Sequence, residues 1–516
     1  MQLKYWLAVC VAAVSASILQ QAGAADWLQF GYDSAHSSNN PDESVISAAN
    51  VATLQPLYSV PISGTDGPPV LLANVEIGAA SRDLLFVTTV YGVTAIDAAD
   101  GSAVWVQSQT SFEYSVGSSP AIDPGRQFVY GPGSDGLVHK LAVADGSEIV
   151  DANWPARSSL KPAIEKAPSP LAIATAQDGS SYVYAVTSSF NETGDYQGHV
   201  TAIDLTSGNS NVFNAACSDL TVHFVANGTP GVDDCATQSN GIWGRGGTTY
   251  NPYNGRLYVS VGNGPFDADS GGHDWGDSVL ALNPDGTGAG NGLPLDSYTP
   301  TEYQSLAMFN GDLGSSSPAV LPPVSGSNYA HLGIQLGKDG AVRLLDLDNL
   351  SGKGAPGNTG GELQKLALLP GGFGNFATPQ PAVWTDVHGD QSLWVFASVQ
   401  GVMSGLQLTV ASGQPLLESR WTTGSMSNSS SPLVANDVLY AVTSGSNGAT
   451  IKAFNPTTGD TLWTSPPVDG CCHAQSPIVA NGRVYLASGS TVNAFAIPEP
   501  PPPPPPTDVI FENGFE

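Results

Sequence analysis

The chain has 516 residues, 41% of them hydrophobic, with 59 Gly, 39 Pro and a formal net charge of -29 at pH 7. So much Gly and Pro argues against a helix bundle and for a large core threaded by many turns. A surface this acidic repels phosphate backbones and anionic lipid, which argues against nucleic acid as a partner.

The opening, 1–24, reads as a secretory signal: Lys4, an apolar run over 6–19, then Ala22-Gly23-Ala24 set for cleavage before Ala25. The run is shorter than a membrane span, so the mature chain is expected to lack a transmembrane segment and to be periplasmic, cell-surface or extracellular. Two phrases then recur. One is Pro followed by an apolar strand, as in Ser118-Ser119-Pro120-Ala121-Ile122, Ser316-Ser317-Pro318-Ala319-Val320 and Ser430-Ser431-Pro432-Leu433-Val434, with weaker starts at Pro69, Pro170, Pro381 and Pro477. The other is Ala-Ile-Asp-Ala-Ala-Asp-Gly-Ser-Ala-Val-Trp over 95–105 and Ala-Phe-Asn-Pro-Thr-Thr-Gly-Asp-Thr-Leu-Trp over 453–463, with shorter copies ending at Gly208 and Gly286. Each copy is a hairpin: a small residue ends a buried strand, Asp or Asn caps the turn, Gly takes positive φ, and an aromatic opens the next strand.

Repetition on this scale decides the architecture. Counting a proline-free start near Gly246-Gly247-Thr248, the units suggest an all-β propeller of eight four-stranded blades over 25–497, with seven blades as the alternative. The last unit lacks a closing aromatic strand. The stretch 54–60, Leu-Gln-Pro-Leu-Tyr-Ser-Val, has no blade of its own and is expected to close the ring there, removing an open edge.

After Cys10 leaves with the signal, Cys217, Cys235, Cys471 and Cys472 remain, an even number suited to an oxidising compartment. Three pairings are open; Cys217 with Cys235 and Cys471 with its neighbour Cys472 is favoured, although adjacent residues sit closer than ordinary disulfides prefer. The prolines over 498–506 read as a stiff polyproline II linker. The tail over 507–516 is similar to short endings in Gly-Phe-Glu on exported bacterial proteins, which implies sorting or attachment; a disordered stub is the alternative.

The repeat phrases, with Trp27-Leu28-Gln29-Phe30-Gly31 and Asn39-Asn40-Pro41, resemble the propeller family named for pyrroloquinoline quinone (PQQ), over roughly 26–497. That family contains quinone-dependent dehydrogenases and propellers that only bind proteins. The stretch Gly241-Ile242-Trp243-Gly244-Arg245-Gly246-Gly247, then Val261-Gly262-Asn263-Gly264-Pro265-Phe266, looks like the fourth blade of the alcohol dehydrogenases. The resemblance implies calcium ligation by Asn263, with Glu192 or, in reserve, Asp195 as the carboxylate; Asp312 as the base; and Lys338 against the quinone.

The departures are as specific. Arg245 stands where the dehydrogenases keep the indole that stacks on the quinone, and Trp243 lies two residues away, on the same side of a strand if the segment is one. Their adjacent cysteines precede the second blade, whereas Cys471 and Cys472 precede the last, and no Cys-x-x-Cys-His haem site is present. Exported propellers of uncertain function share Asp312-Leu313-Gly314-Ser315 and Gly337-Lys338-Asp339-Gly340. No nucleophile elbow, phosphate loop or zinc helix competes. The expectation is a binding or scaffolding platform for a protein partner without redox cofactor; the alternative is a PQQ- and calcium-dependent dehydrogenase of alcohols or sugars.

Overall fold

The structure is a computed structural model that describes residues 25–65, 67–107, 118–190, 192–227, 229, 234–368, 379–399, 401–424, 426–470 and 475–498. The expected signal, the Cys471-Cys472 pair, the tail and all of the proline linker but Pro498 lie outside these residues. Eight blades ring one axis. The first runs Val70–Ile77, Ala80–Thr89, Gly92–Asp97 and Ala103–Val106; the next six open at Ala121–Ile122, Ala172–Thr175, Thr248–Asn251, Ala319–Val320, Ala382–Thr385 and Leu433–Ala435. Each is an antiparallel meander whose innermost strand comes first. Middle strands such as Leu393–Val399 are buried along their whole length, because neighbouring blades cover both faces, while outer strands such as Gln364–Ala367 alternate.

The eighth blade closes the ring. Its run Arg483–Ala496 pairs through its first residues with Ile478–Ala480 and through its second half with Gln55–Thr65, the N-terminal strand expected there. One apolar cluster accordingly joins Leu71 and Leu85 of the first blade to Tyr440 of the seventh and Tyr485 of the eighth. No helix among the described residues is long and apolar enough to cross a membrane.

The recurring hairpin phrase has a second use, because its aromatic docks on the neighbouring blade. Gly146 has φ +70°, and a Cβ there would lie 2.5 Å from Trp105 Cε3; the Trp105 indole N–H donates to Val143 O at 2.9 Å. Trp421 repeats the arrangement on Gly459, donating to Pro456 O at 2.9 Å. At the closure Tyr58 takes the tryptophan's place, its hydroxyl donating to Ala98 O at 3.2 Å.

Residues 27–40 form a belt along the inner edges of all the blades. The backbone N–H groups of Leu71 and Ile122 donate to Trp27 O and Leu28 O, and the Gln29 amide bonds Ile173 in both directions. Tyr250, Val320, Val383 and Val434 donate to Ser34, Ala35, Ser37 and Ser38 carbonyls, and the Asn40 amide donates to Val479 O. An innermost strand has a free edge toward the axis, and the belt satisfies it once per blade.

Candidate functional site

Four of the residues singled out in the sequence come together on loops at one end of the ring. Trp243 lies in the loop before Thr248–Asn251, Asn263 follows Arg256–Ser260, Asp312 precedes Ala319–Val320, and Lys338 sits at the hairpin tip between Leu332–Leu336 and Ala341–Asp346. The Lys338 ammonium pairs with Asp312 Oδ2, donates to Asn310 Oδ1 at 3.0 Å, and stands 4.7 Å from the Trp243 ring centroid. Asp312 Oδ1 accepts the Asn263 N–H at 2.7 Å, and the Asn263 side-chain amide donates to Asn310 at 3.2 Å. Glycines flank Asn263 for steric reasons: a Cβ on Gly262 would lie 2.5 Å from Trp243 Nε1, and one on Gly264 2.6 Å from Asn240 N.

Behind this cluster lies a second charged layer. Asp277 Oδ1 accepts the Leu313 N–H at 3.0 Å, its Oδ2 is buried without a partner, and burial pushes its carboxyl up to about 7. The fully buried Arg343 guanidinium grips both Asp339 oxygens, at 3.1 and 2.6 Å, and reaches Glu302 at 2.9 Å, where Lys365 also binds. Asn310, Arg343 and Glu302 carried no repeat or family phrase of their own, whereas Asp339 stands in Gly337-Lys338-Asp339-Gly340 and Asp277 in Trp275-Gly276-Asp277-Ser278, which resembles the same fourth blade. Asn310 was the most accessible, two residues before Asp312.

Trp243 and Arg245 are not on a strand: the segment is loop, turning at Arg245 and Gly246, so strand alternation does not set their directions. The belt underlies that turn. A Cβ on Gly246 would lie 2.5 Å from His36 Nδ1, which also meets Thr249 Oγ1 at 3.0 Å; burial lowers the His36 imidazole to about 3. Lys166 stands 5.7 Å from the Phe190 ring centroid, its ammonium pKa lowered by burial and by the nearby Arg245 charge.

The residues expected on calcium stand in different surroundings. Asn263 Oδ1 is buried without a partner, as an open ligand would be. Glu192, however, is exposed, and Asp195 accepts from the Asn227 N–H at 2.8 Å, the Asn227 amide at 2.9 Å and Gln197 at 3.1 Å. In the aspartate-rich loop over 267–277, which lacks the spacing of an EF-hand loop, Asp267 accepts the Asp274 N–H, and Asp274 accepts from the Cys217 N–H and the Thr237 hydroxyl. Among the described residues no three His, Cys, Asp or Glu side chains are grouped to hold a metal. The Cys217–Cys235 disulfide is formed and closes the insertion that carries Asn227.

A family model described as outer membrane protein assembly factor BamB matches residues 47–237 and 383–497, together more than half the chain. No curated protein matches it in sequence. Among solved structures, it is similar to a quinohemoprotein alcohol dehydrogenase from Pseudomonas putida HK5 at 15% identity and TM-score 0.65, over 93% of this chain and 82% of that one. The quinohemoprotein alcohol dehydrogenase of Comamonas testosteroni aligns at 16% identity and TM-score 0.62, over 92% and 80%. A europium-containing methanol dehydrogenase aligns at 15% and 0.60, over 90% of each chain. At these identities the likeness speaks for the fold alone. With blades, hairpin phrases and family match in agreement, the chain belongs to the PQQ-repeat family of quinoprotein-like β-propellers.

Proposed function

We propose that this ring is an exported binding platform for a protein partner, without redox turnover. The observation that carries the reading is the state of Asp312. Both its oxygens already hold donors, one of them the buried Lys338 ammonium and the other the Asn263 N–H. Each oxygen keeps a second lone pair, but the buried ion pair and the Asn263 bond tie the carboxylate to two other loops, which supports a structural role over that of a free general base. Arg245 in place of a stacking indole, the exposure of Glu192 and the engagement of Asp195 with Asn227 support the same reading.

A second reading, a PQQ- and calcium-dependent dehydrogenase of alcohols or sugars, draws on the unpartnered Asn263 Oδ1 beside Lys338 and Trp243. Calorimetric titration of PQQ with calcium into the purified chain, beside Asn263→Ala, separates the two. The platform reading expects no heat at millimolar quinone. Tight binding that disappears in Asn263→Ala overturns it.

A further inference from the structure

Ala25 sits in a socket at the seam where the ring closes. It is 8% exposed, its N–H donates to Asn481 Oδ1 at 2.7 Å, and its carbonyl accepts from the Asn481 amide at 3.2 Å. That amide also reaches Asp83 Oδ2 at 3.4 Å. Asn481 follows the strand Ile478–Ala480 of the eighth blade, and Asp83 lies on Ala80–Thr89 of the first. Neighbouring carboxylates have cations: Asp26 pairs with Arg126, and Asp97 with Arg82 at 2.8 Å. Asp83 is different. Its Oδ1 takes only the Asn74 N–H, at 2.8 Å, and among the described residues no cation stands within ion-pair distance of it.

We propose that an export-associated endopeptidase cuts between Ala24 and Ala25, and that the freed Ala25 ammonium docks in the Asn481–Asp83 socket and seals the seam. Water adds to the Ala24 carbonyl carbon and the C–N bond breaks. Ala24 leaves as a carboxylate, and Ala25 keeps its nitrogen as an ammonium. A neutral amide donor is thereby exchanged for a charged one on Asn481, whose amide bonds a carboxylate that Arg483 reaches only from beyond ion-pair distance. The Ala22-Gly23-Ala24 sequence presents the small residues such a peptidase reads.

The test has two arms. Mass spectrometry of the exported protein reads its first residue, expected to be Ala25. The chain beginning at Ala25 is then prepared with a free or an acetylated amine, in the native background and in Asp83→Asn. Acetylation removes the charge and leaves one N–H. It is expected to lower Tm by about 1–3 °C in the native background and to change nothing in Asp83→Asn. The native-background difference is also expected to shrink in 1 M salt, where the Debye length is about 3 Å. A first residue other than Ala25, an equal effect of acetylation in both backgrounds, or a difference indifferent to salt overturns the proposal.

Discussion

Replacing Gly146 by Ala tests whether the blades are held together by an indole seated on a glycine. The backbone at Gly146 has φ +70°, and the added methyl would fall 2.5 Å from Trp105 Cε3 and 2.7 Å from Cδ2. An L-residue in the left-handed region costs about 1–2 kcal/mol. The displaced indole also forfeits the Trp105 Nε1 bond to Val143 O, worth about 1 kcal/mol, with part of its packing. The expected loss is therefore about 2–4 kcal/mol. Gly179 is the internal control, since it has φ +91° but no atom within 4 Å of an added Cβ. Gly179→Ala should cost only the backbone share, about 1–2 kcal/mol. Guanidinium unfolding of both variants, read as the midpoint at constant slope, gives the two numbers. The difference should vanish when Trp105→Ala is the background, because the clash is then gone. Equal losses in Gly146→Ala and Gly179→Ala, within about 0.5 kcal/mol, would refute the docking argument.

Three further outcomes follow from the charged layer and the disulfide. The Asp277 carboxyl is raised from 3.8 to about 7 in the folded chain, so the folded state binds more protons between those values and stability falls as pH rises through them. Asp277→Asn should flatten that part of a Tm-against-pH curve; an unchanged slope would show that Asp277 does not titrate there. Arg343→Met should destabilise the fold by no more than about 3–5 kcal/mol, measured by denaturant unfolding, because Asp339 and Glu302 then keep only Lys365, and a neutral result would mean that Lys365 alone suffices. Cys235→Ser opens the Cys217 loop of sequence separation 18 and should cost about 3 kcal/mol. The same stability change on reducing the native chain would tie the loss to this bond.

The blades were legible because their signals are local and repeated. Pro before an apolar pair marks where a buried strand leaves the ring's inner edge, and Asp or Asn before Gly marks the hairpin; Asp97 and Asn455 do bond the N–H groups two residues on, at 2.8 and 2.9 Å. Closure by Gln55–Thr65 was readable as a strand without a blade facing a blade without a strand. The cluster of Asn263, Asp312, Lys338 and Trp243 was reached through phrases shared with a family. The belt was not legible, because residues 27–40 have no period and their bonds run to eight separated places. Nor was the Arg343 grip, since Glu302 lies 41 residues away beside a short helix and Asp339 already reads as a turn residue. Burial creates that site, and burial of a lone charge is a property of the assembled ring.

The belt also sets the order in which the molecule can be completed. Asn40 meets Val479 across 439 positions of sequence, so the segment made first cannot settle until the last blade exists. A contact that distant in sequence carries a large loop-closure cost and slows the completion of the ring. Gln55–Thr65 and Asn40 both meet the eighth blade, so loosening either contact exposes the same sheet edge.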